Sequence, residues 1–336
     1  MKKLVMAALV LSSSLFASSE VNIYSHRHYD TDKKLFKMFE EETGIKVNVI
    51  KAKASQLIKR IESEREHTPA DILLTSDVAR LVIADQKGLL QGVSTKTLQT
   101  NVPEKLRQKD GKWYGITKRA RVIVYNKDKI KASELSTYAK LTDPKWKGRL
   151  LIRKSNNIYN QSLLASFIAN DGIEASTDWA AGVVNNMARK PAGSDRDQMK
   201  AVAAGIGDIA VVNTYYVGKL LYSKKTKEVV VGKKMGVFFP NQGVGERGTH
   251  VNISGAGVVK YSKNKDNAIK FLEYLTSTKA QSLFAQANYE YPVNPTVEPS
   301  DLLKSWGDFK EDQTNLEEFG KNNANAVKVF NRVGWK

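Results

Sequence analysis

The stretch GDIAVVNTYYVGKLLYS, residues 207–223, is the part of the sequence around which the fold is organised. Its apolar run at residues 209–212 predicts a buried strand. Apolar residues at helical spacing follow directly, at Val217, Leu220 and Leu221. Two adjacent tyrosines, Tyr215 and Tyr216, lie between the strand and the helix. They are therefore expected at the carboxyl end of a strand, which is the edge where open α/β sheets bind ligands.

The two phenols can face one small ligand only if the chain bends at this junction. Neighbouring residues in the first turn of a helix point roughly 100° apart. Thr214 or Asn213 is expected to cap the helix here and so to set its first turn. The alternative is that both tyrosines simply pack beneath the surface, which is a common environment for tyrosine.

The composition is that of a globular protein with room for two domains. The chain has 336 residues, of which 41% are hydrophobic and 26% charged. Its formal net charge is +18, but the lysines are scattered in pairs and form no dense basic block, so nucleic-acid binding is not expected. An enzyme is not expected either, because the sequence has no cysteine, no G-x-S-x-G elbow, no H-E-x-x-H and no Walker loop.

The first residues have the three regions of a secretory signal peptide. Lys2 and Lys3 precede an apolar stretch at residues 4–11, and small residues follow. Residues 1–19 are therefore predicted to be a signal peptide that is cleaved between Ala17 and Glu20, which places the mature protein in the periplasm. Since the chain has no cysteine, disulfides cannot stabilise it and its cores alone must do so.

Strand and helix patterns alternate after the signal peptide. Strands are predicted at residues 21–25, 46–52 and 70–76, and helices at residues 34–44 and 55–65. Strands separated by helices favour a parallel sheet with right-handed crossovers. A second α/β set is expected further on, with helices near residues 160–171 and 174–189.

Two extended runs, at residues 112–126 and 248–262, are longer than one strand usually needs. Strands of this length can pass from one lobe to another, so the two runs predict a double crossing and a hinge. The first lobe is predicted to comprise residues 20–118 plus 255–290, and the second lobe residues 119–254 plus 291–336. The helices at the end of the chain are expected on the second lobe.

Several motifs together resemble one family. They are YSHRHYDTD at residues 24–32, PADILLTSD at 69–77, WYGITKRARVIVYN at 113–126, TDPKWKGRLLIR at 142–153 and NTYY at 213–216. This set is similar to that of the periplasmic ferric-ion-binding proteins, the transferrin-like members of the two-lobed solute-binding proteins that supply ABC transporters. The resemblance extends over essentially the whole mature chain, and HRHY together with NTYY is its most specific part. It implies an α/β, two-lobed periplasmic binding protein fold with two crossing hinge strands.

The resemblance implies a site for Fe(3+) in the cleft between the lobes. Its ligands would be Tyr159, Tyr215 and Tyr216 from the second lobe, with Tyr29 and His28 from the first. A small, hard, trivalent cation favours anionic oxygen donors, and it can displace the phenol proton at neutral pH. Taken singly, His28 could be a surface histidine at a helix entry, and Tyr159 an ordinary aromatic near a helix cap.

Four phenolates and one ferric ion leave a net negative charge, so nearby cations are expected. Arg27 and Arg119 are the candidates, either as neighbouring charges or as forks that hold carbonate or another small synergistic anion. The sixth coordination position is left open between an empty position, water and such an anion. Asp77 is expected to cap its helix, and Arg121 to be an exposed or hinge residue.

The function implied by the resemblance is capture of ferric iron and its delivery to an inner-membrane ABC permease of an iron uptake system by a monomeric binding protein. Iron is expected to meet the second lobe first, and closure then to bring Tyr29 and His28 to it. The alternative is a binding protein for a small organic anion, polyamine or sugar on the same scaffold, with the tyrosines stacking on the ligand or hydrogen-bonded to it.

Overall fold

The structure, a computed structural model, describes residues 19–27 and 29–336. The predicted signal peptide, apart from its last residue, and the predicted ligand His28 lie outside the described residues. The strands are β1 Glu20–Ser25, β2 Lys46–Lys51, β3 Ile72–Thr75, β4 Leu90–Gln91, β5 Tyr114–Asn126, β6 Leu150–Leu151, β7 Ile209–Asn213, β8 Met235–Phe238, β9 Val251–Val259 and β10 Tyr291–Pro292.

The helices alternate with the strands in the first half of the chain and collect at its end. They are α1 Asp30–Thr43, α2 Ala54–Glu64, α3 Val78–Gln86, α4 Lys96–Asn101, α5 Ile158–Asn186, α6 Asp195–Ala203, α7 Thr214–Leu221, α8 Thr226–Lys234, α9 Lys265–Thr276, α10 Thr278–Asn288, α11 Asp301–Lys304, α12 Glu317–Lys321 and α13 Asn323–Arg332. The predicted break between two long helices is confirmed inside α5, where Gly172 has a φ of 81° and interrupts the helical backbone.

The first sheet has the strand order β2, β1, β3, β9, β5. β1 runs parallel to β2 and to β3, as the alternation of strands and helices predicted. β9 is antiparallel to both of its neighbours, β3 and β5. The parallel strands β1 and β3 therefore present their carboxyl ends at one edge, from which α1 and α3 begin.

The long strand β5 belongs to two sheets. Residues Tyr114 to Ala120 pair with β9, whereas Arg121 and the residues after it pair with β7 and β8. The second sheet is completed by β6, which runs parallel to β7. The second long run of the sequence forms β9, which begins just after His250, and the carbonyl of His250 accepts a hydrogen bond from the amide of Arg121 at 2.9 Å. The two crossings therefore lie side by side, while the lobe boundaries stay a prediction.

Each sheet is covered by its own apolar core. Phe39 of α1 and Phe271 of α9 pack in the first core. Phe167 and Trp179 of α5 pack against one face of the second sheet, and a separate cluster around Met199 covers its other face. Tyr24 of β1 is also buried in the first core.

The helices at the end of the chain divide between the two cores. Phe330 of α13 packs in the core of the second sheet, as expected. Phe319 of α12 packs in the core of the first sheet, so α12 lies where the two halves meet. Within the described residues, the helices fall short of the length and apolarity that a membrane crossing requires.

Candidate metal centre

The four predicted tyrosine ligands all lie at the amino-terminal ends of helices. Tyr29 occupies the N-cap position of α1, directly after β1. Tyr215 and Tyr216 lie in the first turn of α7, which begins where β7 ends, so the predicted strand-to-helix junction is confirmed. Tyr159 is the second residue of α5, a helix that begins at Ile158, two residues before the predicted start near residue 160. A helix amino terminus carries partial positive charge, which favours an anionic phenolate at each of these positions.

The structure brings these four side chains together from three distant parts of the chain. The hydroxyl of Tyr215 donates a hydrogen bond of 3.1 Å to the hydroxyl of Tyr159. The ring of Tyr215 lies 4.2 Å, centroid to centroid, from that of Tyr216 and 6.0 Å from that of Tyr29. Tyr29, Tyr159 and Tyr215 are 6%, 8% and 1% exposed. The phenols therefore form one buried cluster and do not pack separately in the two cores.

The surroundings of three of these phenols disfavour their ionisation. Burial raises the pKa of Tyr29, Tyr215 and Tyr216 well above the ordinary value of 10.0, and repulsion from Tyr159 is the next largest cause for each of them. Ionising one phenol therefore makes it harder to ionise the next. Only a cation bound among them can reverse this balance and hold several phenolates in the same place.

A lysine that the sequence reasoning missed lies against the tyrosines. The Nζ of Lys219 is 3.6 Å from the ring centroid of Tyr29 and 5.2 Å from that of Tyr215. Burial lowers the pKa of Lys219 to about 8. Lys219 follows Tyr215 by one helical turn on α7, and this i, i+4 spacing is the signal that could have identified it.

Arg27 lies beneath Tyr29, but carboxylates occupy its guanidinium. Its Nη2 contacts Asp32 at 3.0 Å and Glu290 at 3.1 Å, and the Arg27 side chain is fully buried. Although burial opposes the charge, these two carboxylates raise the pKa of Arg27. Its Cζ is 4.7 Å from the ring centroid of Tyr29. Of the two roles predicted for Arg27, this position suits a charge beside a phenol better than a fork that holds an anion in the cleft.

Arg119 is placed in a similar way beside Tyr159. Its Nη2 donates to Asp77 at 2.9 Å, and its Cζ is 5.3 Å from the ring centroid of Tyr159. Asp77 is also the N-cap of α3, where it accepts a hydrogen bond from the amide of Ala79 at 3.1 Å, as predicted.

One of the two alternatives for Arg121 and the predicted helix cap were wrong. Arg121 is not exposed, because only 1% of it is accessible and its guanidinium is enclosed by polar side chains, but it does lie where β5 crosses between the sheets, as the hinge alternative predicted. Asn213 occupies the N-cap position of α7 but makes no capping bond, since its Oδ1 accepts a hydrogen bond of 3.0 Å from Arg121. Thr214 does not cap the helix either, and its hydroxyl accepts a bond from the amide of Ala120.

A cavity of about 900 Å³ opens beside the tyrosine cluster. Tyr29, Tyr159 and Tyr216 line it, and so does His26, whose Nδ1 lies 3.0 Å from the hydroxyl of Ser76. Six basic side chains also line it: Lys53, Arg80, Arg153, Lys154, Arg196 and Lys219. Arg27 and Arg119 are not among the lining residues, so the cations that face the cavity differ from those that the sequence suggested.

The acidic and imidazole side chains offer no other metal site in the described part of the chain. No group of three or more histidine, cysteine, aspartate or glutamate residues is arranged there to hold an ion. The tyrosines are therefore the donor set to consider, and their anionic oxygens suit a hard cation.

Comparison with known proteins gives the family. A family model described as bacterial extracellular solute-binding protein matches residues 34–311. Iron uptake protein A1 of Synechocystis sp. is 52% identical over 317 residues, which is 94% of this chain and 88% of that protein. The chain belongs to the periplasmic ferric-ion-binding proteins. The resemblance found in the sequence is thereby confirmed, and with it the prediction of a transport protein that is not an enzyme.

Two solved structures confirm the two-lobed fold of this ferric-ion-binding family member. The structure of the Trichodesmium protein IdiA (FutA), in complex with iron and citrate ligands, matches this chain with a TM-score of 0.90 and 52% sequence identity. The match covers 95% of this chain and 100% of that chain. The ferric binding protein from Campylobacter jejuni has a TM-score of 0.90 and 47% identity, covering 94% and 100% of the two chains.

Proposed function

We propose that this protein captures ferric iron in the cleft between its lobes by tyrosinate coordination and delivers it to an inner-membrane ABC permease. The observation that carries this proposal is the convergence of three buried phenols and one half-buried phenol, Tyr216, with the hydroxyls of Tyr215 and Tyr159 3.1 Å apart. Tyr215 is 1% exposed and does not line the cavity, so it is not placed to stack on an organic ligand there, although Tyr29, Tyr159 and Tyr216 do line it. Tyr29, Tyr159, Tyr215 and Tyr216 are the proposed ligands, and His28, which precedes Tyr29 in the sequence, is proposed as a fifth.

Charge balance supports a trivalent cargo. Four phenolates carry four negative charges, so a ferric ion leaves the set at about minus one. Lys219 over Tyr29 and Arg119 beside Tyr159 supply positive charge within 6 Å of the rings. A divalent ion would leave a larger uncompensated negative charge in a buried site, which is unfavourable at low dielectric. The site therefore favours the ferric over the ferrous state.

The cavity supports the presence of an anion with the iron. Its volume of about 900 Å³ far exceeds the space that one ion needs, and among its charged lining residues six are basic and one, Asp30, is acidic. Carbonate or another small oxyanion could bind in bidentate fashion to a guanidinium group there, such as that of Arg153. We therefore assign the synergistic anion to these lining cations, and a charge-balancing role to Arg27 and Arg119.

Binding is coupled to closure in this proposal. Three of the tyrosines follow elements of the second sheet, and Tyr29 follows β1 of the first. Iron would meet the group of three first, and its bond to Tyr29 would then draw the lobes together about the paired crossings at Arg121 and His250. The closed, loaded form is what the permease would recognise, and the protein would act as a monomer in the periplasm after removal of residues 1–19.

The experiment is optical. Tyrosinate bound to ferric iron absorbs visible light, so the protein loaded with ferric nitrilotriacetate should be red to orange. Replacing Tyr215 and Tyr216 by phenylalanine should remove the band with little change in the melting temperature of the apo protein. Tyr274→Phe is the matched control. The hydroxyl of Tyr274 makes no hydrogen bond, and its ring packs on Phe39 in the first core. Its band should be unchanged.

A colourless but folded wild-type protein after ferric loading would contradict the proposal. It would favour the alternative, a small organic anion, polyamine or sugar as ligand. Collapse of the apo double variant would instead mean that the tyrosine pair is part of the core.

A further inference from the structure

The tyrosines of the second lobe come from two separate stretches of chain that must be held in one relative position. Tyr159 opens α5, whereas Tyr215 and Tyr216 open α7, more than fifty positions later. A trio of ligands binds an ion tightly only if its geometry is set before the ion arrives, since otherwise ordering the chain offsets part of the binding energy. Some part of the protein must therefore connect the two helix starts.

The side chain of Arg121 makes this connection. Its Nη2 donates 2.7 Å to the Oδ1 of Asn160, the neighbour of Tyr159. Its Nη1 donates 3.0 Å to the Oδ1 of Asn213, two residues before Tyr215. The same Nη1 lies 3.0 Å from the Oδ2 of Asp195, and that oxygen also accepts the amide of Asn213 at 2.8 Å. One guanidinium thus joins the starts of both helices and its own counter-ion.

The partners of Arg121 are themselves fixed. The Nδ2 of Asn160 donates to the carbonyl of Arg153 at 2.8 Å, in the turn before α5. Arg121, Asn160, Asp195 and Asn213 are each no more than 2% exposed. At such buried positions the planar guanidinium group holds its several hydrogen-bond donors in fixed directions. A lysine, with one ammonium group on a flexible chain, cannot reproduce this geometry.

We propose that Arg121 is a positioning residue of the iron site, which sets the geometry of Tyr159, Tyr215 and Tyr216 through Asn160 and Asn213. It touches no iron and acts through the tyrosines. Its backbone lies at the point where β5 leaves the first sheet for the second, next to the other crossing. The three proposed ligands of the second lobe are thereby connected to the crossing strand β5. This inference rests on the proposed function.

The test compares three variants by two measurements. The variants are Arg121→Lys, Arg121→Gln and Asn160→Ala, the last of which removes one arm of the connection while it keeps the buried charge pair. The dissociation constant for ferric iron is measured by competition with nitrilotriacetate, and the visible absorbance per bound iron is measured at saturation. Each variant should bind iron about 10- to 100-fold more weakly, the usual effect of removing a group that orients metal ligands, with a lower absorbance per iron. Lysine should not rescue the affinity.

The matched control is Arg149→Gln. Arg149 forms an ion pair with Asp208 at 2.6 Å, as Arg121 does with Asp195. This second pair lies at the opposite end of β7 from Asn213. The Arg149→Gln variant should lower the melting temperature of the apo protein without altering the absorbance per iron. Repeating the series in a Tyr29→Phe background separates positioning from closure, because the loss caused by Arg121→Gln should persist when the first-lobe tyrosine is absent.

The outcomes are distinct. If Arg121→Gln does not fold, Asn160→Ala decides the matter. If wild type shows the band and Asn160→Ala keeps both the affinity and the absorbance per iron of wild type, the positioning role is wrong while the proposed function stands. If the loss disappears in the Tyr29→Phe background, Arg121 acts on closure and the inference is overturned. If wild type shows no band, the proposed function itself fails.

Discussion

At the scale of single residues, Lys219 is the cation most closely tied to the tyrosines. Its Nζ lies over the ring of Tyr29, and its burial costs solvation, which is why its pKa is lowered to about 8. A buried cation of this kind is unfavourable in the apo protein and becomes favourable once the phenols ionise. Its effect on iron binding and its effect on stability should therefore have opposite signs.

The variant Lys219→Met tests this. We expect ferric affinity to fall by on the order of tenfold, because one charge near several phenolates is lost, while the apo melting temperature stays equal or rises. Chelator competition and calorimetry measure the two quantities. Lys145→Met is the control, since the Nζ of Lys145 lies 4.8 Å from the ring centroid of Trp146, outside the site. Unchanged affinity in Lys219→Met would refute the role.

The sequence predicted which tyrosines meet but not which charges surround them. Tyr215 and Tyr216 were found from a strand that runs into a helix, a local pattern that the backbone period determines. The partners of Arg121 lie 39 to 92 positions away, and Glu290 lies 263 positions from Arg27. A local sequence period gives no information about such distant pairings, so of the two alternatives for Arg121, exposed or hinge, only its place at the hinge was right, and its burial was not predicted.

At the scale of elements, α7 carries two of the proposed ligands and also contacts α10, a helix that packs on the first sheet. A Cβ at Gly218 would lie 2.5 Å from the Cγ of Tyr289, the residue directly after α10. Tyr289 has a φ of 57°, and its ring stacks on that of Tyr222 at 5.2 Å. Glycine at position 218 thus permits a close approach between the two halves beside the site.

Gly218→Ala should therefore separate closure from folding. Alanine favours a helix by about 1 kcal/mol over glycine, so the apo protein should not melt earlier if its lobes are apart. Iron binding should weaken, and small-angle scattering should show less compaction on ferric loading. The double variant Gly218→Ala with Tyr289→Ala removes the clash and should recover part of the compaction. An apo form that melts earlier would mean that this contact is already made without iron.

The elements themselves were predicted well, for a physical reason. Apolar runs and helical spacing indicate which face of a strand or helix is buried, and the burial of these faces stabilises both sheets and helices. The break in α5 followed from Gly172, and the crossing of β5 followed from its length. The packing of α12 on the first core was not predicted, because the sequence pattern of a short helix does not indicate which of two neighbouring cores the helix packs against.

At the scale of the whole molecule, the proposed site would convert iron binding into proton release. Burial and mutual repulsion raise the pKa of Tyr29, Tyr215 and Tyr216, so these three phenols are protonated at neutral pH. Iron can bind only their deprotonated forms, so affinity must rise as the pH rises and fall as it falls. Acid would therefore release the cargo without any unfolding of the protein.

We expect about four protons to leave for each ferric ion bound at pH 7, one for each tyrosine ligand. Calorimetric titration with ferric nitrilotriacetate in two buffers of different ionisation enthalpy measures this number, after correction for the protons of the chelator. Tyr216→Phe should lower it by about one, and Tyr274→Phe should leave it unchanged, because that hydroxyl lies outside the cluster. Release of only one or two protons by the wild type would mean that most of the phenols do not bind the metal, and the tyrosinate site would have to be abandoned.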